Sequence, residues 1–307
     1  MDDICVASES MATQGPASRP DCLTLLVVVP DDADPAPWCD LMATSAADDC
    51  SIVLACPQGR RLPDLAPRCE LVFGSHGSSI FHLWAVAMQR ASGSFVAVVD
   101  ARCPPGPTWL DAAWQAIAQD IPAFFGPVVC PDVEPGRRLV EYALEYGQFA
   151  RPVAPSLNEV PGNNFVFRRD LLDASAVRGQ QFHKVFFVDD LRRRGLAPVY
   201  RDGMEVMYLK RFAPLHYIAR RFAHGRTYAA LRSSGRGLRY RLLRGFTSLA
   251  LPLLRLFRAA RSASGKPRLV AALRRHPIYA MASEVAWSLG ECAGYLTAKS
   301  GDPAHLD

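Results

Sequence analysis

From Val206 to Ser283 the chain has no aspartate and no glutamate, while 17 arginines and lysines fall in that stretch. Residues 1–205 have the opposite balance, with 17 basic and 26 acidic side chains, and residues 284–307 add one lysine and four acids. The overall charge of +5 therefore conceals two regions of opposite sign, which implies two different tasks. Other absences narrow the field. None of the nine scattered cysteines forms a C-x-x-C pair, which argues against a zinc site or a disulfide framework and for reduced thiols in a cytosolic setting. No stretch approaches the roughly 20 apolar residues of a spanning helix. The uncharged run Phe246–Leu254 is too short, and the later apolar stretch is broken by Glu284 and Glu291. No secretory signal pattern is visible: Asp2 and Asp3 open the chain, and the first apolar run stops at Pro30-Asp31-Asp32. General disorder is excluded, because half the residues are hydrophobic and 21% are charged.

What is present has the rhythm of an α/β domain. Residues 1–20, rich in Ser, Ala and Pro, predict a loose tail. Continuous apolar runs at Leu23–Val29, Cys50–Cys56, Glu70–Phe73 and Phe95–Val99 predict strands buried on both faces. Helices are expected over about Pro37–Ala46 and Ile80–Ala91, the second capped from the turn Gly74–Ser79. Alternation of this kind predicts right-handed βαβ units, a mostly parallel sheet and ligand binding at the strands' carboxyl ends, where Asp100 stands. Further on, the sequence predicts a helix at Thr108–Ala118, a strand at Ala123–Val129 and a helix at Arg137–Phe149. A turn and strand over Val160–Phe167 lead into a basic helix start, and a helix near Phe182–Arg194 is stopped by Gly195. Short strands at Ala197–Tyr200 and Glu205–Tyr208 close the domain.

The order of these pieces resembles glycosyltransferase family 2. The strand ending in Pro30 is similar to that family's opening strand. Ala91-Ser92-Gly93-Ser94-Phe95, then Val98-Val99-Asp100, Pro104 and Trp109-Leu110, looks like its A-x-G-x-hydrophobic-D-x-D … P … W-L stretch. Gly162-x-Asn164 with Arg168-Arg169 and Leu172 is similar to its acceptor-side motif. Phe222-x-x-Gly225-Arg226 and Gly290-Glu291-x-x-Gly294-Tyr295 look like tail features of members that work on cell-surface polysaccharides or lipids. The resemblance implies a GT-A-like (Rossmann-like) domain over residues 21–212, with a basic, helical, amphipathic region over 213–307. It also implies sugar transfer, with inversion, from a nucleotide-diphosphate sugar to a lipid-linked or polysaccharide acceptor at the cytoplasmic membrane face. Pro30, Asp100 and Arg102 would then lie on the donor side and Gly162, Asn163 and Asn164 on the acceptor side. Asp100 would be the ligand of a Mg²⁺ or Mn²⁺ ion that neutralises the departing diphosphate.

Acidic positions of the family are altered. The D-x-D position reads Asp100-Ala101-Arg102, which leaves three alternatives: one carboxylate holds a metal through water, Arg102 pairs with the diphosphate itself, or the site is inactive. The second strand ends in Ala55-Cys56-Pro57 where the family offers an aspartate. The acidic pair expected before Gly195 falls on His183 and Lys184, leaving His183 as one candidate base and Asp189, or its neighbour Asp190, as the other. The alternative expectation is a non-catalytic relative acting as a scaffold or partner in polysaccharide assembly.

The basic region alternates aliphatic runs with arginine, as in Leu249–Arg258, which suits a helix lying in the interface of an anionic membrane. The same residues could instead pack on the acidic domain. Nucleic acid is not expected, since the region lacks helix-turn-helix, zinc and RNA-binding signatures.

Overall fold

A computed structural model describes residues 22–43, 49–60, 69–75, 78–154, 157, 159–172, 176–178 and 180–300. The expected tail over 1–20 lies outside them, as do the last residues of the helix expected to reach Ala46. The chain begins with β1 (Leu23–Val28), α1 (Ala36–Asp40), β2 (Cys50–Cys56), β3 (Cys69–Phe73), α2 (Ile80–Met88) and β4 (Phe95–Asp100). Next come α3 (Trp109–Ala118), β5 (Ala123–Phe125), β6 (Val128–Val129), α4 (Arg137–Tyr146) and β7 (Asn164–Arg168). The α/β part ends with β8 (Val177–Arg178), β9 (Gln181–Phe182), α5 (Lys184–Arg193), β10 (Val199–Tyr200) and β11 (Val206–Met207). Five helices follow: α6 (Pro214–Ser233), α7 (Leu238–Ser248), α8 (Leu251–Ala263), α9 (Pro267–Arg275) and α10 (Pro277–Thr297).

Seven strands form the main sheet in the order β10-β5-β7-β4-β1-β2-β3. All neighbours are parallel except β7, which runs antiparallel to both β4 and β5. β1 and β4 are buried along their whole length, as their continuous apolar runs require of central strands covered on both faces. The expected mostly parallel sheet with flanking helices is what the chain forms. The Ser79 hydroxyl caps α2 by accepting from His82 N at 3.3 Å, and Gly195 ends α5 with a φ of +78°.

Three expectations change. The strand foreseen over Ala123–Val129 divides at Gly126-Pro127: β5 stays in the main sheet, while β6 pairs with β11. Gly126 lies so close to the Met204 carbonyl that a Cβ would run into it, and Pro127 has no N–H to offer a ladder. The basic segment after β7 is a single 3-10 turn, Arg169–Leu171, instead of the start of a helix. α1 is short and gives way to a 3-10 turn at Leu41–Ala43.

The C-terminal helices pack on one another and on α4. α6 and α10 lie side by side, from Tyr217 beside Tyr279 to Ala229 beside Gly294. Their seam is made of glycines: a Cβ on Gly225 would collide with the Trp287 carbonyl, one on Gly290 with the Phe222 carbonyl, and one on Gly294 with the Arg226 carbonyl. The glycine motifs read from the sequence are therefore where two helix backbones touch. Buried charges tie the seam together. Arg221 Nη2 donates to Glu284 Oε1 at 2.6 Å, Arg255 bonds the other oxygen, and both guanidinium groups lie 4.4 Å from the Trp287 ring centroid. Toward α4, Tyr279 donates to Glu141 Oε1 at 2.6 Å and Arg220 Nη1 to Glu145 Oε1 at 2.6 Å. Burial pushes the Glu141 carboxyl up to about 7, while Arg220 and Arg221 hold Glu145 down to about 2 against the opposing effect of its burial.

α7 and α8 are amphipathic in an inverted sense. Small residues (Gly245, Ser248, Ala259, Ala263) face inward, and Leu242, Leu243, Phe246, Leu249, Leu253, Leu254 and Phe257 face out. Phe246, Leu253 and Phe257 are 64%, 71% and 64% exposed. Exposed Arg239, Arg244, Arg258 and Arg261 stand among them. Among the described residues no helix is long and apolar enough to cross a membrane.

The glycine seam yields a direct test. Gly290→Ala inserts a methyl group where backbone meets backbone, so α6 and α10 must separate, and stability should fall by about 1–3 kcal/mol. Urea unfolding of the variant should show a lower midpoint with an unchanged slope.

Candidate active site

The parallel strands β1–β4 all end at one edge of the sheet, and register fixes what meets there. Val28 pairs with Asp100 on one side and with Ala55 on the other, and Ala55 pairs with Val72. The loops after β1, β2, β3 and β4 are therefore neighbours. Because β7 runs the other way, its first residue, Asn164, pairs with Val99 and brings Gly162, Asn163 and Asn164 to the same edge. The one antiparallel strand thus joins the donor-side and acceptor-side candidates.

Asp100 is wholly buried. Its Oδ1 accepts from Arg102 N at 2.9 Å and from Arg102 Nε at 3.2 Å, and its Oδ2 accepts from Arg102 Nη2 at 3.2 Å. Lys210 Nζ completes the set, 2.7 Å from Oδ2. Burial works to protonate this carboxyl, yet the two adjacent cations and their hydrogen bonds prevail and hold it well below the usual carboxylate range. Arg102 and Lys210, disfavoured as cations by burial, are kept charged chiefly by Asp100. The outer nitrogen of Arg102, Nη1, lies 3.9 Å from Oδ1 of Asp32, an exposed residue of the loop after β1.

Lys210 arrives by a defined path. Tyr208 N donates to Val129 O at 2.8 Å, Met207 N to Pro104 O at 2.9 Å and Leu209 N to Arg102 O at 3.0 Å. The segment after β11 is thereby pinned along the loop that follows Asp100. Around the cluster, burial pushes the Cys103 thiol up to about 11 and the Tyr146 phenol up to about 12, so both are neutral near pH 7. The Phe212 ring carries the Arg102 guanidinium at 6.0 Å and that of Arg220 at 4.8 Å, which links the site to α6.

The other candidates are placed as follows. Asn163, 1% exposed, meets Cys103 Sγ through Nδ2 at 2.8 Å, and its Oδ1 has no hydrogen-bond partner. Asn164 is fully engaged inside: Oδ1 accepts from Trp109 Nε1 at 2.8 Å, and Nδ2 donates to Met204 O at 2.6 Å and to Pro127 O at 3.2 Å. It braces the frame. Gly162 leaves room for the stem of Lys184, whose Cδ would lie 3.3 Å from an added Cβ. Lys184 Nζ bonds the Val160 carbonyl, and burial lowers its pKa to about 8. Pro30 is buried two residues after β1, where its carbonyl accepts from Ala33 N at 3.0 Å. His183, just before α5, is held through Nε2 by Gln181 Oε1 at 3.0 Å and stacks on Phe81 at 4.1 Å. Asp189 lies on the exposed side of α5, 3.8 Å from Arg192, and Asp190 pairs with Arg193 and Arg194. The structure thus joins Asp100, Arg102 and Asn163 at one edge and holds His183 and Asp189 among other partners.

A cavity of about 670 Å³ opens at the ends of β2 and β3, lined by Gln58, Gly59, Arg60, Phe73, Gly74 and Ser75. Arg60 also latches the loop after β1 by bonding the Val29 and Ala33 carbonyls. Neither this cavity nor Lys210 was foreseen. Lys210 carried one faint signal, as one of only four lysines in a chain whose other basic residues are arginine.

The donor set does not fit the divalent ion expected at Asp100. Mg²⁺ and Mn²⁺ require several hard oxygens with a surplus of negative charge. Here both oxygens of the carboxylate are already on cations, and the Asp32 carboxylate faces a third nitrogen of the same arginine. Asn163 Oδ1, a buried acceptor without a hydrogen-bond partner, is neutral. Among the described residues no group of three or more His, Cys, Asp or Glu is arranged to hold a metal.

No family model and no curated protein sequence matches the chain. In three dimensions it is similar to a mannosyltransferase from Pyrobaculum calidifontis solved in complex with GDP-Man and Mn²⁺, with a TM-score of 0.51. The two are 16% identical, and the likeness covers 91% of this chain and 90% of that one. At that identity the likeness establishes a shared fold.

The ion cluster makes a prediction about stability. Asp100→Asn leaves two buried cations without their counter-charge and should destabilise the protein by about 3–5 kcal/mol. Chemical denaturation of the variant against the wild type at pH 7 measures the difference.

Proposed function

We propose that this chain is a glycosyltransferase that moves a sugar from a nucleotide-diphosphate sugar to a lipid-linked or polysaccharide acceptor, working against an anionic membrane surface at its cytoplasmic side. The observation that carries the reading is the convergence at one sheet edge of a buried, positively charged cluster and an open cavity able to admit a nucleoside. Ligands of open parallel sheets bind at that edge. The fold shared with a protein that binds GDP-Man supports the same donor class. In this reading the loops after β2 and β3 take the nucleoside, the Arg102 edge meets the diphosphate, and the Gly162–Asn163 turn shapes the acceptor side. The base is then His183, one residue from the Lys184 stem that lies against Gly162, in preference to Asp189 on the exposed side of α5.

The inverted stripe on α7 and α8 supports the membrane part. Seven large apolar side chains face outward at helical spacing with exposed arginines among them, which suits insertion at the headgroup boundary of anionic lipid. A second reading, a non-catalytic relative serving polysaccharide assembly, is favoured by the neutralised state of Asp100.

Calorimetric titration with UDP-, GDP- and dTDP-sugars decides between the two. Saturable binding of one donor class is expected, with His183→Gln leaving that affinity unchanged while lowering turnover by about 10²-fold or more. A folded wild-type protein that binds no donor would leave the non-catalytic reading.

Membrane attachment is tested separately. Sedimentation with phosphatidylglycerol-containing vesicles should carry the protein down, and Phe246→Ser with Leu253→Ser should weaken that by about tenfold or more. Equal sedimentation with neutral vesicles, or no effect of the double substitution, would count against the proposed face.

A further inference from the structure

We propose that the donor site carries its own cation, so that Arg102 and Lys210 take the place of a divalent metal and a nucleoside diphosphate binds without one. The proposal rests on the nucleotide-sugar reading above and adds to it what neutralises the phosphates.

Three observations support it. First, Asp100 has no oxygen to offer: Oδ1 takes two hydrogen bonds from Arg102, and Oδ2 is shared by Arg102 Nη2 and Lys210 Nζ. A metal at Asp100 would have to displace one of these cations and then stand beside the other in a dry interior, which like-charge repulsion opposes.

Second, the cluster has a surplus of positive charge. One carboxylate faces a guanidinium and an ammonium, and the nearby Cys103 thiol and Tyr146 phenol, neutral near pH 7 at their ordinary values and raised further by burial, add no charge. The neighbouring Arg220 is balanced by Glu145. The buried members of the cluster therefore sum to one positive charge, faced in the absence of ligand by the exposed Asp32, and that is the sign an incoming diphosphate requires.

Third, the surplus has an outlet. Arg102 binds Asp100 through Nε and Nη2, which leaves Nη1 as the edge turned toward Asp32, whose side chain is 61% exposed. Arg102, its side chain 6% exposed, is fixed on one side by a buried carboxylate and faces an exposed acid on the other, so phosphate oxygens would meet a preorganised guanidinium by taking the place of Asp32. Asp32 is the acid that a diphosphate would meet there.

Asp32 provides the discriminating variant. If the site works by fixed cations, Asp32 competes with the phosphates for Arg102, and Asp32→Asn should tighten nucleoside diphosphate binding. If a metal were used, Asp32 would be among its nearest available oxygens, and the same substitution should weaken binding.

The experiment is calorimetric titration of the full chain with UDP, GDP and dTDP, in EDTA and again in Mn²⁺. At least one nucleotide is expected to bind with the same Kd in both, and Asp32→Asn is expected to lower that Kd by up to about fivefold. Lys210→Met, with folding checked by thermal melting, is expected to raise the Kd in EDTA by about tenfold, whereas a merely structural lysine would leave it unchanged in folded protein. Binding only in Mn²⁺, or weaker binding by Asp32→Asn, overturns the proposal and leaves the nucleotide-sugar reading standing. No binding in either condition removes that reading and the proposal together.

Discussion

A carboxylate with no access to water cannot stay ionised alone, and the carboxyl edge of this sheet is organised around that constraint at Asp100. Arg102 is available two residues away and supplies both its side chain and its backbone N–H. Lys210 must be brought from the far end of the α/β region. That need accounts for features that otherwise look incidental. The strand foreseen as one piece is cut at Gly126-Pro127, which lets the Met204 backbone pass close by. β11 can then pair with β6 and lay its following residues along the Arg102–Pro104 loop. Asn164 fastens the crossing from the other side by bonding both Met204 and Pro127. The buried asparagine, the broken strand and the returning segment together deliver one ammonium group.

The same need for counter-charge extends into the helical region. Phe212 carries both Arg102 and Arg220, Arg220 is held by Glu145, and the next residue, Arg221, is held by Glu284 together with Arg255. α6 is therefore part of the support of the site as well as the first helix of the tail. The arginines of the acid-free region fall into two populations. Arg220, Arg221, Arg241 and Arg255 are engaged by carboxylates or helix-end carbonyls, and Arg239, Arg244, Arg258 and Arg261 are exposed. Charge counting over residues 206–283 joins the two, because an arginine facing a buried glutamate and one facing solvent look alike in a sequence.

The central strands were legible because β-branched runs bounded by turn residues have few other uses, and the ends of α2 and α5 were legible because Ser79 and Gly195 act locally. What escaped was set by contacts between distant residues. Nothing near Ala123–Val129 announces that Met204 will approach Gly126, and nothing near Asp100 announces Lys210. In sequence, Asp100-Ala101-Arg102 leaves open a metal held through water, an arginine pairing with the diphosphate, or an inactive site. The geometry adds what spacing does not carry, an Arg102 that turns most of its fork back onto Asp100 and leaves one nitrogen toward Asp32. His183 follows from counting back from Gly195 and Asp189 from its place about two turns further along the same helix, which fixes position along α5 but not what packs against it.

Burial separates two kinds of positive charge by more than location. Exposed arginines on α7 and α8 act through water, where about 0.15 M salt screens them beyond roughly 8 Å, and they can turn to whatever anion approaches. Arg102 and Lys210 are shielded from that screening and fixed in direction by Asp100. A surface charge of the first kind suits a fluid, heterogeneous partner such as a lipid headgroup layer. A charge of the second kind suits one group arriving in one orientation, because the protein dipoles need not reorganise as the ligand's charge arrives. The chain joins both kinds through one helical support: Arg220 of α6 shares the Phe212 ring with Arg102, and α6 touches α10 through its glycine seam. Splaying that seam would therefore act at the sheet edge as well as on the helices, because the side chains that balance the site's neighbourhood leave α6 within one turn of each other.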